Sequence, residues 1–216
     1  MLVDLLDSLG LGPTTLVVFA SDNGASNEGG SAQYGYHDYA FFESSGPLRG
    51  FKRSVYDGGT RSPIIARWPG TLAAGAVSGF PWYFADFMPT ALELAGRPDL
   101  VPSGADGISI APLLTGTGDP ADRAATASGC IYFEFCTMDA EGVARWGRSG
   151  RAGNYKAVSP SSEKGLELYD LLADPGEALD LAGALPEVLA ALEACMDRQH
   201  VDSPTFPAGD RVCRPS

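Results

Sequence analysis

Two short stretches hold residues that could act together on an anion. The first is Ser21-Asp22-Asn23-Gly24, which directly follows the apolar run at residues 16–20. The Asp22 carboxylate and the Asn23 amide oxygen are hard oxygen donors of the kind Ca2+ and Mg2+ take. The same four letters also make an ordinary turn, so alone they describe a turn as well as a metal site. The second stretch, GPLRGFKRSVYDGGTRSP at residues 46–63, carries Arg49, Lys52, Arg53 and Arg61 among its glycines. Glycines let backbone approach an oxyanion closely, and a lysine supplies a compact point charge. Alone it reads equally as a solvated basic loop. A divalent cation and a lysine converging on one tetrahedral oxyanion would suit cleavage of a sulfate or phosphate ester.

The elements around these stretches predict an α/β domain. Leu2, Leu5, Leu6 and Leu9 recur at helical spacing, and Gly10 or Gly12 ends that helix. Residues 16–20 are apolar throughout and read as a buried strand of a parallel sheet, which puts Asp22 and Asn23 where strand becomes loop. Residues 24–62 read as a long loop region. A second strand is expected at 64–67, stopped by Pro69-Gly70, with Trp68 in the core at its end. The stretch DFMPTALELAG predicts a helix with Asp86 near its N-cap, Pro89 in the first turn and Gly96 at its end. Residues 97–128 read as connection. Past residue 125 the pattern changes to CIYFEFC, YKAVS and LELYDL, with PEVLAALEACM as a closing helix. That predicts a small antiparallel sheet with one helix on it. The expected division is therefore 1–125 and 126–216.

The net charge of −12 argues against non-specific nucleic-acid binding, since phosphate backbones need a basic surface. It also requires a local positive pocket if the ligand is anionic, and residues 46–63 supply the candidate. The 27 glycines and 16 prolines predict many loops. Cys130, Cys136, Cys195 and Cys213 show no zinc spacing. Cys130 and Cys136 flank a strand-like run and cannot bridge each other, while a disulfide from either to Cys195 or Cys213 stays open. No apolar run is long enough for a transmembrane helix, and MLVDLLDSLG lacks the basic start of a signal peptide.

The segments LVVFASDNG, GPLRGFKRSVYDGGTRSPIIARWPG, DFMPTALELAG, DGISIAPLLTG and LELYDLLADPGEALDLA occur in the order and spacing of the sulfatase family, in its arylsulfatase-like branch. The chain resembles that family over most of its length. The resemblance implies part of an alkaline-phosphatase-like α/β fold, a parallel or mixed sheet with helices, followed by a small C-terminal antiparallel subdomain. It implies hydrolysis of sulfate esters at one Ca2+ site. Asp22 and Asn23 stand at the metal-ligand positions and Lys52 at the sulfate-contacting position. Arg49 is a second candidate contact, and His37, beside Asp38 in the tyrosine-rich loop, a candidate at the pocket rim. The substrate would be a sulfate-ester small molecule or a sulfated glycan.

Several departures bear on activity. Asp57 stands where relatives commonly carry glutamate, and Phe51 replaces a usual glycine beside Lys52. Arg61 is expected to pair with a nearby carboxylate. The family's nucleophile is a formylglycine made within Cys/Ser-x-Pro-x-Arg. None of the four cysteines has that context, and the motif is expected to be missing. The upstream ligands and histidine of the family are also absent, so the chain resembles the C-terminal half of a sulfatase, begins within a helix before the SDNG strand, and has the N-terminal half as an expected partner. Two other readings are a catalytically inactive remnant or binding module and a phosphodiesterase of the same superfamily. The compartment is open: secreted, lysosomal or periplasmic would follow from a targeting segment upstream. Asp170, Asp174 and Glu177 read as turn and cap chemistry, and His200 has no evident role.

Overall fold

The computed structural model describes residues 2–26, 41–123, 129–138, 144–161 and 164–202. Its helices are α1 (Leu2–Ser8), α2 (Asp57–Thr60), α3 (Phe87–Leu94), α4 (Ala111–Thr115) and α5 (Pro186–Gln199). Its strands are β1 (Val17–Ala20), β2 (Ile64–Arg67), β3 (Ile131–Met138), β4 (Ala144–Ala152), β5 (Tyr155–Ser159) and β6 (Glu167–Asp170). Contacts group residues 1–21 with 63–128 as one compact unit and 22–62 with 129–216 as another. The segment 22–62, which holds Asp22, Asn23, Arg49 and Lys52, thus packs with the C-terminal sheet.

In the first unit α1 stops at Gly10, whose φ of 69° only glycine adopts without strain. Gly10 N–H donates to Asp7 O and Leu11 N–H to Leu6 O, the pair of bonds that closes a Schellman cap. β1 and β2 pair antiparallel, with Phe19 opposite Ile65. Two expectations change here. The strand after α1 is antiparallel to its neighbour, and it is not buried: Phe19 and Ile65 are 65% and 62% exposed. Trp68 is half-buried, with its indole N–H donating to Pro13 O at 3.0 Å, rather than lying in a core.

α3 is held at its start by Asp86, which is fully buried. Its carboxylate accepts Tyr83 N–H at 3.0 Å and Ile108 N–H at 2.8 Å, and pairs with Arg123 at 2.6 Å. Gly107 lies so close to Ala85 that an added Cβ would stand 2.0 Å from its carbonyl oxygen. The stretch after residue 97, expected as connection throughout, contains the five-residue helix α4, capped by Gly116 at φ 69°.

The second unit is built on a four-stranded antiparallel sheet in the order β3-β4-β5-β6. Side chains alternate across it with the period of two that a strand imposes. Ala157 and Leu168 face α5, where Leu192, Cys195 and Met196 complete a core with Cys130. Gly150 lets α5 approach, since a Cβ there would meet Met196 Cγ at 2.5 Å. Cys130 and Cys195 form a disulfide that ties the start of β3 to α5, and Cys136 is disulfide-bonded as well. Val158 and Tyr169 point to the opposite face, where Val55 and Tyr56 cover them. The sheet therefore lies between a helix and the basic loop.

Candidate functional site

The Asp22–Asn23 corner and the Lys52 loop are joined through their backbones. Lys52 N–H donates to Ala25 O at 2.7 Å, and Gly24 N–H donates to Gly59 O at 3.0 Å. The approach is close enough to require glycine on both sides. A Cβ on Gly24 would stand 1.8 Å from Gly58 O, and one on Gly58 would stand 2.2 Å from Gly50 O. The glycines of SDNG, LRGFK and DGG thus form one stack of backbone, which sets residues 22–26 against residue 52.

Asp22 is exposed and Asn23 half-buried, with the Asn23 side-chain amide donating to Gly24 O at 2.9 Å. Lys52 is half-buried. Glu43, Ser45, Pro47, Leu48, Gly50 and Phe51 border an open cavity of about 570 Å³. His37 lies outside the described residues. Among those residues no cluster of three His, Cys, Asp or Glu side chains has metal-binding geometry. Asp22 and Asn23 have the right donor chemistry for Ca2+, as two of the roughly six to eight oxygens it collects.

Arg49 is tied into the protein. Its guanidinium donates to Tyr169 Oη and to Glu177 O, both at 2.9 Å, and lies 3.9 Å over the Tyr56 ring. Burial works against its charge, but Tyr56, Tyr169 and Glu167 outweigh that and raise its pKa. The phenols of Tyr56 and Tyr169 are pushed up by burial and by hydrogen bonds to Glu167. Arg61 lies 3.7 Å from Asp57.

Beneath the loop is a buried ion cluster that no spacing in the sequence signals. Lys156, on β5, sits 2.7 Å from Asp57 Oδ1 and 3.0 Å from Glu177 Oε1. Glu177 also accepts Asp57 N–H at 2.8 Å. Burial raises the Glu177 pKa, while Lys156 and the Asp57 N–H hold the rise back. Glu177 is thus more than a turn residue. Asp170 and Asp174 do act as turn acceptors, for Leu172 N–H and for the Ala178 and Leu179 N–H groups. His200 lies against Glu134 at 2.8 Å, far along the chain from the loop.

The family model "Sulfatase" matches residues 1–97. Human arylsulfatase A is 33% identical over 215 residues, covering 89% of this chain and 39% of that protein. The chain belongs to the sulfatase family. The crystal structure of Ps i-CgsB in complex with k-i-k-neocarrahexaose superposes with a TM-score of 0.68 at 25% identity, over 91% of this chain and 39% of the other. That of BT4656 in complex with its substrate D-Glucosamine-2-N, 6-O-disulfate gives 0.66 at 26% identity, over 91% and 36%. The sulfatase chain has the mixed α/β, alkaline-phosphatase-like fold with a small antiparallel sheet. It spans about two fifths of the length of these relatives and matches their C-terminal part.

One expectation about this sulfatase chain needs correction. The letters Ser45-Gly46-Pro47-Leu48-Arg49 match the serine form of Cys/Ser-x-Pro-x-Arg, so the pattern is not missing from the sequence. In the structure Ser45 Oγ donates to Gly50 O at 3.0 Å, which closes the turn before Lys52, and Arg49 is tied as described above.

Proposed function

We propose that the chain forms the anion-gripping part of a sulfuric ester hydrolase. Lys52 supplies the ammonium that donates to the sulfate oxygens, and Asp22 and Asn23 contribute oxygen ligands to Ca2+ beside it. The observation that carries this reading is the pair of backbone hydrogen bonds from Lys52 to Ala25 and from Gly24 to Gly59. A bound Ca2+ would supply positive charge towards the sulfate oxygens. Arg49 serves the loop. The saccharides bound by the structural relatives, one of them the substrate D-Glucosamine-2-N, 6-O-disulfate of BT4656, support a sulfated glycan as substrate.

Calorimetry with p-nitrophenyl sulfate in the presence of Ca2+ tests the grip. Lys52→Ala should weaken binding about tenfold or more, as loss of a charged hydrogen bond of 1.5–3 kcal/mol implies. Asp22→Ala should remove the Ca2+ dependence. Equal affinity in wild type and Lys52→Ala would overturn the assignment. A second reading, a module that binds sulfate esters without cleaving them, is favoured by the absence of a cysteine in the nucleophile context. Turnover of the aryl sulfate by this chain would reject it. Ser45→Ala would then ask whether the nucleophile lies in the 45–49 pattern.

A further inference from the structure

We infer that Glu177 is the positioning residue for Lys52: one fully buried glutamate fastens both ends of the loop that carries that lysine. The inference rests on the sulfate-contacting reading of Lys52. Glu177 is 0% exposed and holds a φ of 53°, a region that residues with a Cβ seldom occupy. Its backbone and its side chain act on different ends of the loop. The carbonyl accepts Arg49 Nη1 at 2.9 Å. The carboxylate accepts Asp57 N–H at 2.8 Å and faces Lys156 Nζ at 3.0 Å. Residue 52 lies between these two ties. Gly58 N–H closes the base of the loop on Arg49 O at 2.7 Å, and Ser54 N–H turns it back on Phe51 O at 2.8 Å.

The turn before Glu177 also meets the loop, since a Cβ on Gly176 would stand 3.2 Å from Pro47 O. The left-handed backbone at residue 177 aims its carbonyl at Arg49 while its carboxylate faces Asp57 and Lys156. The face of the sheet towards α5 has its own core, made by Cys130, Ala157, Leu168, Leu192, Cys195 and Met196, and Val55 and Tyr56 hold the loop on the other face by apolar contact with Val158 and Tyr169. Loss of the Glu177 carboxylate should therefore loosen residues 49–58 while the sheet and α5 stay intact.

Hydrogen–deuterium exchange on the full chain, with inorganic sulfate as the probe ligand, tests this. In Glu177→Ala the amides of Lys52, Ser54 and Gly58 should exchange about tenfold faster, with those of β5 and α5 unchanged within about twofold. Sulfate should bind more weakly by a similar factor. Glu177→Gln keeps an acceptor for Asp57 N–H and should restore most of the protection and affinity. Wild-type exchange rates at those amides in a folded Glu177→Ala chain would overturn the proposal. Should that variant not fold, Arg49→Ala releases the carbonyl tie together with the Tyr169 hydrogen bond and the Tyr56 contact, and unchanged exchange at residues 50–54 overturns it equally. Indifference of sulfate binding to Lys52→Ala would reject the underlying reading, while the exchange data still decide whether Glu177 holds the loop.

Discussion

The two compact units bury charge in different ways. In the first, Asp86 meets one arginine and two backbone N–H groups, so its carboxylate is held from three directions. In the second, Lys156 stands between Asp57 and Glu177, 2.7 Å from one carboxylate and 3.0 Å from the other. The apolar residues differ too. Leu2, Leu5, Leu9, Phe19 and Ile65 of the first unit are exposed, and so are Phe41, Phe42, Leu172 and Leu179 of the second, but the second encloses a core between sheet and helix that the Cys130–Cys195 disulfide crosses. The comparison teaches that the second unit gains local order by sharing one cation between two acids above a closed core. The first is ordered around Asp86, whose carboxylate meets one cation and two backbone N–H groups.

The sharpest way to break this comparison is to remove the cation from each unit. Lys156→Met strands two buried carboxylates and should cost about 3–5 kcal/mol in urea unfolding. Arg123→Met leaves Asp86 its two N–H donors and should cost less. Equal losses would erase the distinction. Next in size is the disulfide. Cys130→Ser with Cys195→Ser opens a loop with a sequence separation of 65. On the chain-entropy view this should destabilise the second unit by about 4 kcal/mol, visible as a lower midpoint for the β3–β6 amides alone.

The third test is pH. Burial raises the Glu177 pKa, so the folded chain holds that proton to higher pH than the unfolded chain. Folded protein then binds more protons across that window, and the stability from this group falls as pH rises from about 4 through the raised value. Relative to Glu177→Gln, wild type should lose stability across the same range. Parallel curves would contradict the assignment. The smallest effect on folding belongs to the open apolar face. Phe19→Thr with Ile65→Thr should shift stability by no more than about 0.5 kcal/mol, as exposed sites do. The same pair should reduce self-association in sedimentation velocity, because contiguous apolar surface drives it. Unchanged association would remove that face as its cause.

Much of the fold was legible because it is written in local rules. The helix at Phe87–Leu94 announced itself by Asp86, Pro89 and Gly96, and the strand at Ile64–Arg67 by its apolar run and the Pro69-Gly70 stop. β4 was not legible. Its sequence ARWGRSGRA has no apolar alternation, and it is a strand because neighbours bond to it on both sides. Of the site, the letters of SDNG and LRGFK pointed to chemistry, but nothing in them tied Glu177 or Lys156 to the loop. Those residues lie 120 and 99 positions from Asp57, beyond any spacing rule.

The sequence by itself determined the helices with caps, the apolar strands, the glycines that allow close backbone contact, and the residues able to bind an anion. Those follow from interactions within a few residues of each other. Only the tertiary structure decided which strands are central, how a buried lysine divides itself between two acids, and that one glutamate holds the loop at both ends. These are outcomes of long-range packing, where burial makes each charge seek partners that the chain order does not reveal.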